Sequence, residues 1–446
     1  MRNPGINRAR ALVGEAQAIE RCAGLVWFPD LSAGANYRKH LGVYQSSFGQ
    51  IRDVSMSSAY LGAGSFAVGG NSPVVPGVRL TTHLADALYE PSAARQLTAS
   101  RAFDVRATRN ATFLESTIAY LELLSAEHRL RAATQTYADV ESLVATTGDF
   151  AQTGQGRAGD AHRAQAEGFL LLVELHRLDE ELGVRAAELS RGLNLDPSIR
   201  LQTVGGPLQI YDLVDLQVGL PTLVALAERG RPELASRGML VSQSQIRTQQ
   251  EKARPFLPMV TAGYSAAGFG GTGNFTPAVR PFTALDNRTD FDIWAFWTLR
   301  NLGTGNKALV ERFEAETTRR AGERRQTRDQ IRNEVAEAYA AAYTRRLQVA
   351  PAVRRWEDAE QAFRSDYTRL RGGEGLPLES LNSIRLLAAA RQELISVAVA
   401  DTVAQFRLFV ALGQPPNCSQ FPASATAVLP SVQRWDGPPK STSTPD

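Results

Sequence analysis

Shifted by 219 positions, the chain aligns with itself without a gap along a stretch of helical character. Ala119-Tyr120 falls on Ala338-Tyr339, Glu141 on Glu360, and Gly154 and Gly156 on Gly373 and Gly375. Farther on, Leu175 meets Leu394, Leu189 meets Leu408, Leu193 meets Leu412 and Pro197 meets Pro416. A period this long exceeds any short solenoid repeat and marks duplication of a whole structural unit. Each unit needs its twin to complete a closed assembly, so the molecule is expected to work with pseudo-symmetry.

Length alone, 446 residues, suggests two or three domains, a count that the duplication overrides. The balance of 49 basic against 46 acidic residues leaves a net charge of +3, which argues against a polyanion-coating protein, so no nucleic-acid partner is expected. Cys22 and Cys418 are far apart and make neither a disulfide framework nor a zinc site, so no metal is expected. No run approaches the ~18–20 apolar residues of a membrane-spanning helix. The longest candidate, Gly168 to Leu175, is interrupted by Glu174. Met1 is followed by Arg-Asn-Pro-Gly, with no apolar core and no cleavage site, so no signal peptide is read. Taken literally this says cytosolic. The chain nevertheless starts abruptly inside a helical pattern, as a trimmed or mis-started exported precursor would.

Residues 3–28 and 232–257 carry apolar positions at helical spacing and stop before Pro29 and Pro258, because proline disfavours helix in the residue preceding it. The period then changes to two. Leu31, Ala33, Ala35, Tyr37, Leu41 and Val43 alternate with Ser32, Asn36, Arg38 and His40, the pattern of a strand with one apolar and one polar face. A second strand is expected at about 77–89, where Val78, Leu80 and Leu84 alternate with Arg79, Thr81 and His83. The twin unit has Val260, Ala262, Tyr264 and Ala266, then Phe291, Ile293, Ala295, Trp297 and Leu299. Gly/Pro/Asn-rich loops are expected between the members of each pair, near 62–76 and 268–288.

Long helical stretches follow at 92–147 and 305–369; some 55 residues of helix span roughly 80 Å. Each runs into a glycine-rich turn, Thr153-Gly154-Gln155-Gly156 and Gly372-Gly373-Glu374-Gly375, and returns over 158–193 and 377–412. Leu171, Leu175, Leu178, Leu182, Leu189 and Leu193 keep heptad-like spacing, so both pairs read as antiparallel coiled-coil hairpins. The expected organisation is a first repeat over 1–205, an equatorial linker over 206–231, a second repeat over 232–413 and a disordered Pro/Ser/Thr-rich tail over 414–446.

Four amphipathic strands are too few to close a barrel, and an open sheet would leave two raw edges. Lipid makes closure obligatory, because unpaired backbone groups cannot be hydrated there. Several chains pooling strands would solve both problems, and apolar-out, polar-in alternation is the mark of a membrane barrel with a wet lumen. The expectation is a mixed α+β membrane protein, an oligomeric β-barrel extended by a helical tube. The alternative is a soluble periplasmic coiled-coil scaffold or adaptor whose sheet packs on a core.

The chain resembles the TolC-type outer-membrane efflux protein family, the outer membrane factors of tripartite pumps. Asn3-Pro4 with Phe28-Pro29, and Arg231-Pro232 with Leu257-Pro258, resemble the ends of that family's opening helices. Leu84-Ala-Asp-Ala-Leu-Tyr-Glu-Pro91 and Trp297-Thr-Leu-Arg-Asn-Leu-Gly-Thr-Gly305 resemble its exits from the strand pairs, and Arg391-Gln392-Glu393-Leu394 with Phe409-Val-Ala-Leu-Gly413 its last helix. The resemblance covers about 3–416. It implies a homotrimer in outer-membrane lipid, with a twelve-stranded β-barrel and an α-helical barrel in the periplasm. It also implies docking onto a periplasmic adaptor (membrane fusion protein) of an inner-membrane pump, with no cofactor. The absent signal peptide and N-terminal lipidation cysteine depart from the family pattern.

The tip glycines relieve a tight turn. The resemblance gives them a second role, with Gly154, Gly156, Leu370, Gly373 and Gly375 at an adaptor-docking rim. Just past the tips, Glu379 and Asn382 fall one turn apart, with Asp160 the counterpart of Glu379. The resemblance implies a constriction there, and a ring of carboxylates in a pore favours cations. These acids equally suit a helix N-terminus as partners of its dipole. Asp366 and Tyr367, on the other arm, are weaker candidates. The run Arg319-Arg320, Arg324-Arg325, Arg328 reads first as a solvated face, otherwise as a contact for anionic groups. Histidines 40, 83, 128, 162 and 176 show no ligand spacing. No nucleotide-binding loop or nucleophile motif is present, so no enzymatic activity is expected.

Overall fold

The computed structural model describes residues 3–46, 48–63, 77–196, 198–204, 206, 208–273, 285–413 and 427–428. Its elements are α1 (Pro4–Gly24), β1 (Asp30–Leu31), β2 (Ala33–Gln45), β3 (Ile51–Ala63), β4 (Val78–His83), α2 (Leu84–Gln152), α3 (Ala158–Leu193), β5 (Gln209–Ile210), α4 (Leu220–Gly230), α5 (Pro232–Ala253), β6 (Met259–Gly273), β7 (Asp286–Phe296), α6 (Thr304–Arg371), α7 (Pro377–Ala411) and β8 (Ala427–Val428). They form two compact units. A sheet unit comprises Ala11–Phe103 and Ala235–Arg325, and a hairpin unit comprises Met1–Arg10, Asp104–Leu234 and Gln326–Asp446. The units cut across the duplication, because each repeat contributes to both.

In the sheet unit, six strands lie along four antiparallel runs. β1 and β2 follow one another along the first run. β1 pairs with β4 and β2 with β3, so β3 and β4 form the second run. β6 pairs with β3 through Ala266–Gly273 and with β4 through Met259–Tyr264, and its other edge takes β7. The second run is interrupted between Ala63 and Gly77. A Cβ on Gly77 would stand 2.5 Å from that of Ala63, so only glycine lets the run resume so close.

The strand β3 is absent from the sequence pattern, which puts the first reversal near 62–76. The reversal instead follows Gln45, where Ser46 N donates to Gln50 O at 2.8 Å. β4 ends at His83 rather than 89. The alternation through Leu84 gives way to helix because the His83 ring caps α2, with Ala85 N donating to Nδ1 at 3.2 Å. The long helix therefore starts at Leu84, with Pro91 inside it rather than before it. The second return strand spans Asp286–Phe296, so Trp297 and Leu299 lie beyond it. Leu302 and Asn301 take left-handed backbone in the turn that feeds α6. The expected loops fall largely on 64–76 and 274–284, outside the described residues. So do Pro197 and the tail from 414, apart from 427–428.

Charged side chains tie the helices of this unit together near the strand ends. Gln250 donates to Asp86 at 2.7 Å, Arg254 pairs with Asp86 and Glu251, and Leu84 N donates to Pro258 O at 3.1 Å. In the arginine run, Arg319 and Arg320 both pair with Glu316 and Glu323 on their own helix.

In the hairpin unit, α2 with α3 and α6 with α7 form two helical pairs around one apolar core that includes Leu143, Phe363, Ile384 and Leu387. α7 is the one described helix long and apolar enough to cross a membrane. Of its apolar window 67% is buried, which makes it the central helix of the core. The linker is not bare chain. It contains α4, whose Leu223 and Ala227 pack on Ile331 and Val335 of α6. Side chains strap down the rest of the linker and the segment just before it. Glu127 of α2 accepts from Thr203 N at 2.7 Å, Gln405 of α7 accepts from Val214 N at 3.3 Å, and Tyr339 of α6 donates to Leu216 O at 3.3 Å. Arg346 joins Asp401 at 3.1 Å and also binds Asp212 and the carbonyl of Tyr211.

Candidate functional site

The two hairpin tips share a set of turn hydrogen bonds at the same offset. Gly156 N donates to Phe150 O at 2.8 Å, and Gly375 N to Arg369 O at 3.1 Å. Thr153 N reaches Asp149 O at 3.0 Å, and Gly372 N reaches Thr368 O at 3.1 Å. Each of these donors and acceptors in the first tip has its twin 219 positions on, and the second tip adds Gly373 N to Leu370 O at 3.0 Å and Glu374 N to Arg369 O at 3.0 Å. Gly154 and Gly373 take φ of 75° and 76°, a conformation that L side chains resist. Gly156 and Gly375 serve close approach instead. A Cβ on the first would meet Phe150 Cβ at 3.0 Å, and one on the second Leu370 N at 2.8 Å. The duplication therefore extends to individual backbone hydrogen bonds.

The candidate constriction residues divide by exposure. Glu379 and Asn382 are exposed in the first turns of α7, and Asp160 is half-buried in the first turn of α3. Each acid faces an arginine in its own chain. Glu379 lies 3.9 Å from Arg369 across the tip and reaches back toward Leu376 N at 3.5 Å, while Asp160 accepts from Arg163 at 2.8 Å. Asp366 is half-buried on α6. Tyr367 is buried and stacks on Phe363 with ring centroids 5.7 Å apart. Leu370, expected at the rim, is only 1% exposed. Phe363, Tyr367 and Leu370 stand at i, i+4 and i+7, so they share the inward stripe of α6. The exposed apolar side chains at this tip are Leu376 and Leu378. Among the described residues, no three His, Cys, Asp or Glu side chains gather as a metal site.

The sheet presents a second surface of chemical consequence. Leu31 pairs with Val78, Val78 with Tyr264 and Tyr264 with Phe291, so one apolar row crosses all four runs on one face. These side chains are 75%, 37%, 47% and 69% exposed. The neighbouring row, on the other face, is Asp30, Arg79, Gly263 and Asp292. On that polar face Arg79 donates to Thr81 at 3.1 Å, the Thr81 and Thr261 hydroxyls meet at 3.4 Å, and Arg288 pairs with Asp290 at 2.8 Å. The first edge of β2 and the outer edge of β7 have no strand beside them among the described residues.

No protein-family model matches the chain, and no curated protein matches it. Solved structures do. A membrane protein from Pseudomonas aeruginosa is 19% identical with a TM-score of 0.70, over 92% of this chain and 90% of that one. The CmeC outer membrane channel of Campylobacter jejuni is 13% identical with a TM-score of 0.69, over 92% and 83%. The MtrE outer membrane channel of Neisseria gonorrhoeae, in its open state, is 17% identical with a TM-score of 0.68, over 92% and 86%. The chain thus shares its overall fold with outer-membrane channels that have little sequence in common with it, and it has the TolC-type outer-membrane channel fold.

Proposed function

We propose that the chain is the outer-membrane duct of a tripartite export system, a passive conduit opened by a periplasmic adaptor and an inner-membrane pump. The observation that carries this reading is the four-run sheet, with the exposed apolar row of Leu31, Val78, Tyr264 and Phe291 on one face, the charged row of Asp30, Arg79 and Asp292 on the other, and no strand beside either edge among the described residues. In lipid such edges are untenable. Three copies joined edge to edge would leave none, giving twelve runs around a polar lumen. The helices offer surfaces for the same assembly. Phe169 and Val173 of α3, and Tyr343 and Leu347 of α6, are exposed apolar residues at helical spacing, suited to a head-to-tail ring. The outer-membrane channels with the same fold support the location.

In this reading Gly154, Gly156, Gly373 and Gly375 form the adaptor-docking rim, with Leu370 supporting it from inside. Glu379 and Asn382 line the constriction, with Asp160, Asp366 and Tyr367 around it. Opening would shift one hairpin against the other. The test is expression behind an export signal. The protein should fractionate with the outer membrane, require detergent, and give a native mass of three chains. A soluble monomer would refute the duct in favour of the scaffold. In planar-bilayer recordings Glu379→Lys should weaken or reverse cation preference. Unchanged conductance and ion preference would return Glu379 to a purely helix-terminal role.

A further inference from the structure

One stripe of α7 forms the floor of an open groove of about 670 Å³ in the hairpin unit. The floor runs from Ser396 through Val399, Ala400 and Val403 to Val410 and Ala411. Asp401 and Gln405, which hold the linker, sit on the opposite side of the helix at 100° per residue. Leu114 of α2 and Ala338 and Ala341 of α6 carry the apolar lining up the walls.

The charges around this groove fall into two classes. Arg129 pairs with Glu181 at 3.0 Å, Arg185 with Glu122 at 3.0 Å and Arg231 with Glu334 at 2.6 Å. Arg345 and Arg407 also line it, are exposed, and have no carboxylate in pairing distance among the described residues. Glu337, the remaining acid, accepts a hydrogen bond from Asn333 at 2.7 Å. The unpaired groups thus leave two cations against one acid. The Arg346–Asp401 pair fixes the antiparallel register of α6 and α7. Arg345 and Arg407 then face the groove from adjacent helices, separated along the bundle by roughly 8 Å at 1.5 Å per residue. From them toward Val399 the floor is Val403 and Ala400 and the acids on that side, Glu122 and Glu181, are already paired, whereas the Ala411 end carries Glu337 and the Arg231–Glu334 pair.

We propose that this groove binds a single-chain amphiphilic anion. Its carboxylate or sulfate sits between Arg345 and Arg407, and its hydrocarbon lies along α7 over Val403 and Ala400 toward Val399. The floor gains by losing water when a chain covers it. Guanidinium groups bind a carboxylate through charge-assisted, often bidentate, hydrogen bonds. The volume suits a small ligand. An organic cation of the same length would meet two like charges. A helix from a second copy would have to desolvate both arginines and the closed ion pairs with no acid of its own specified to answer them. The site does not depend on the duct reading, since binding is measured whether or not the protein conducts.

The test is calorimetric titration of laurate into the full-length protein held in a nonionic amphipol. Dodecyltrimethylammonium supplies the same chain with a cationic head, and acetate supplies the head alone. Laurate should bind saturably and at least about tenfold more tightly than the alkylammonium, with no measurable acetate binding. Arg345→Gln with Arg407→Gln should cost laurate about tenfold or more. Ala400→Trp, which fills the floor, should also abolish binding. Equal affinity for the two dodecyl compounds, acetate binding as tight as laurate, no laurate binding at all, or an unchanged folded double variant would each overturn the proposal. The head-group comparison uses the unaltered protein, so it decides even if a variant folds poorly.

Discussion

Asp401 is fully buried in α7, the one described helix long and apolar enough to cross a membrane, and Arg346 is what makes that placement tolerable. Burial lifts the Asp401 carboxyl above its ordinary value of 3.8, against the pull of the guanidinium beside it. Burial opposes the charge of Arg346 too, yet hydrogen bonds to Asp401 and Asp212 hold its pKa above the ordinary value. A carboxyl raised in the fold favours folding in its protonated form. That contribution is complete below 3.8 and is lost as pH rises through the folded value. Arg346→Met should therefore be costly at pH 7, by about 3–5 kcal/mol for a buried charge deprived of its partner. The loss should shrink as pH falls and Asp401 takes up a proton. Adding Asp401→Asn should restore most of it at pH 7. Thermal unfolding followed by helical circular dichroism at pH 7 and pH 4.5 checks this. Equal destabilisation at both pH values would mean that Arg346 acts through packing and Asp212 alone.

At the scale of elements, the tips make the sharpest distinction between residues that look alike in sequence. Gly373 needs its left-handed φ but has open space around it, whereas Gly375 has a backbone nitrogen 2.8 Å from where a Cβ would stand. Gly373→Asn should cost little, since asparagine tolerates that conformation. Gly375→Ala should force the turn apart and speed amide exchange from Thr368 to Glu379, measured by mass spectrometry. Exchange matching the wild type in Gly375→Ala would show that the turn relaxes freely. These glycines were legible in the sequence because they occur twice at one offset, and the helices because their period persists over tens of residues. β3 was not legible. Its Asp53, Ser55, Ser57 and Ala59 stand opposite Val43, Leu41, Lys39 and Tyr37, so its partner's pattern rather than its own specifies the pairing. The short helix α4 was hidden in a Gly/Pro-punctuated linker. At the tip, the inward stripe through Phe363 could have warned that Tyr367 and Leu370 are internal. The linker straps gave a fainter signal, Asp401 and Gln405 one turn apart in the more apolar second half of α7, and their partners lie far off in sequence.

At the scale of the whole molecule, the two faces of the sheet make opposite demands on adjacent residues of one strand. Phe291 and Ile293 stand on the same face of β7, in register with Tyr264 and Ala262, while Asp292 between them points to the face of Asp30 and Arg79. Phe291 and Ile293 are exposed in the single chain, and Asp292 is as well, so exposure alone cannot separate them. Lipid would. A lysine on the lipid face near the middle of a bilayer costs about 2–4 kcal/mol, whereas one facing a wet lumen costs little. Phe291→Lys with Ile293→Lys should therefore deplete the protein from the outer membrane and reduce the trimer seen by native mass spectrometry. Asp292→Lys should assemble as the wild type does, altering only the ion preference of the pore. If all three positions accept lysine without loss of insertion, the apolar row does not meet lipid. If Asp292→Lys fails where the double substitution succeeds, the barrel is inside out, with the face of Asp30 and Arg79 toward lipid and the row of Phe291 toward the lumen.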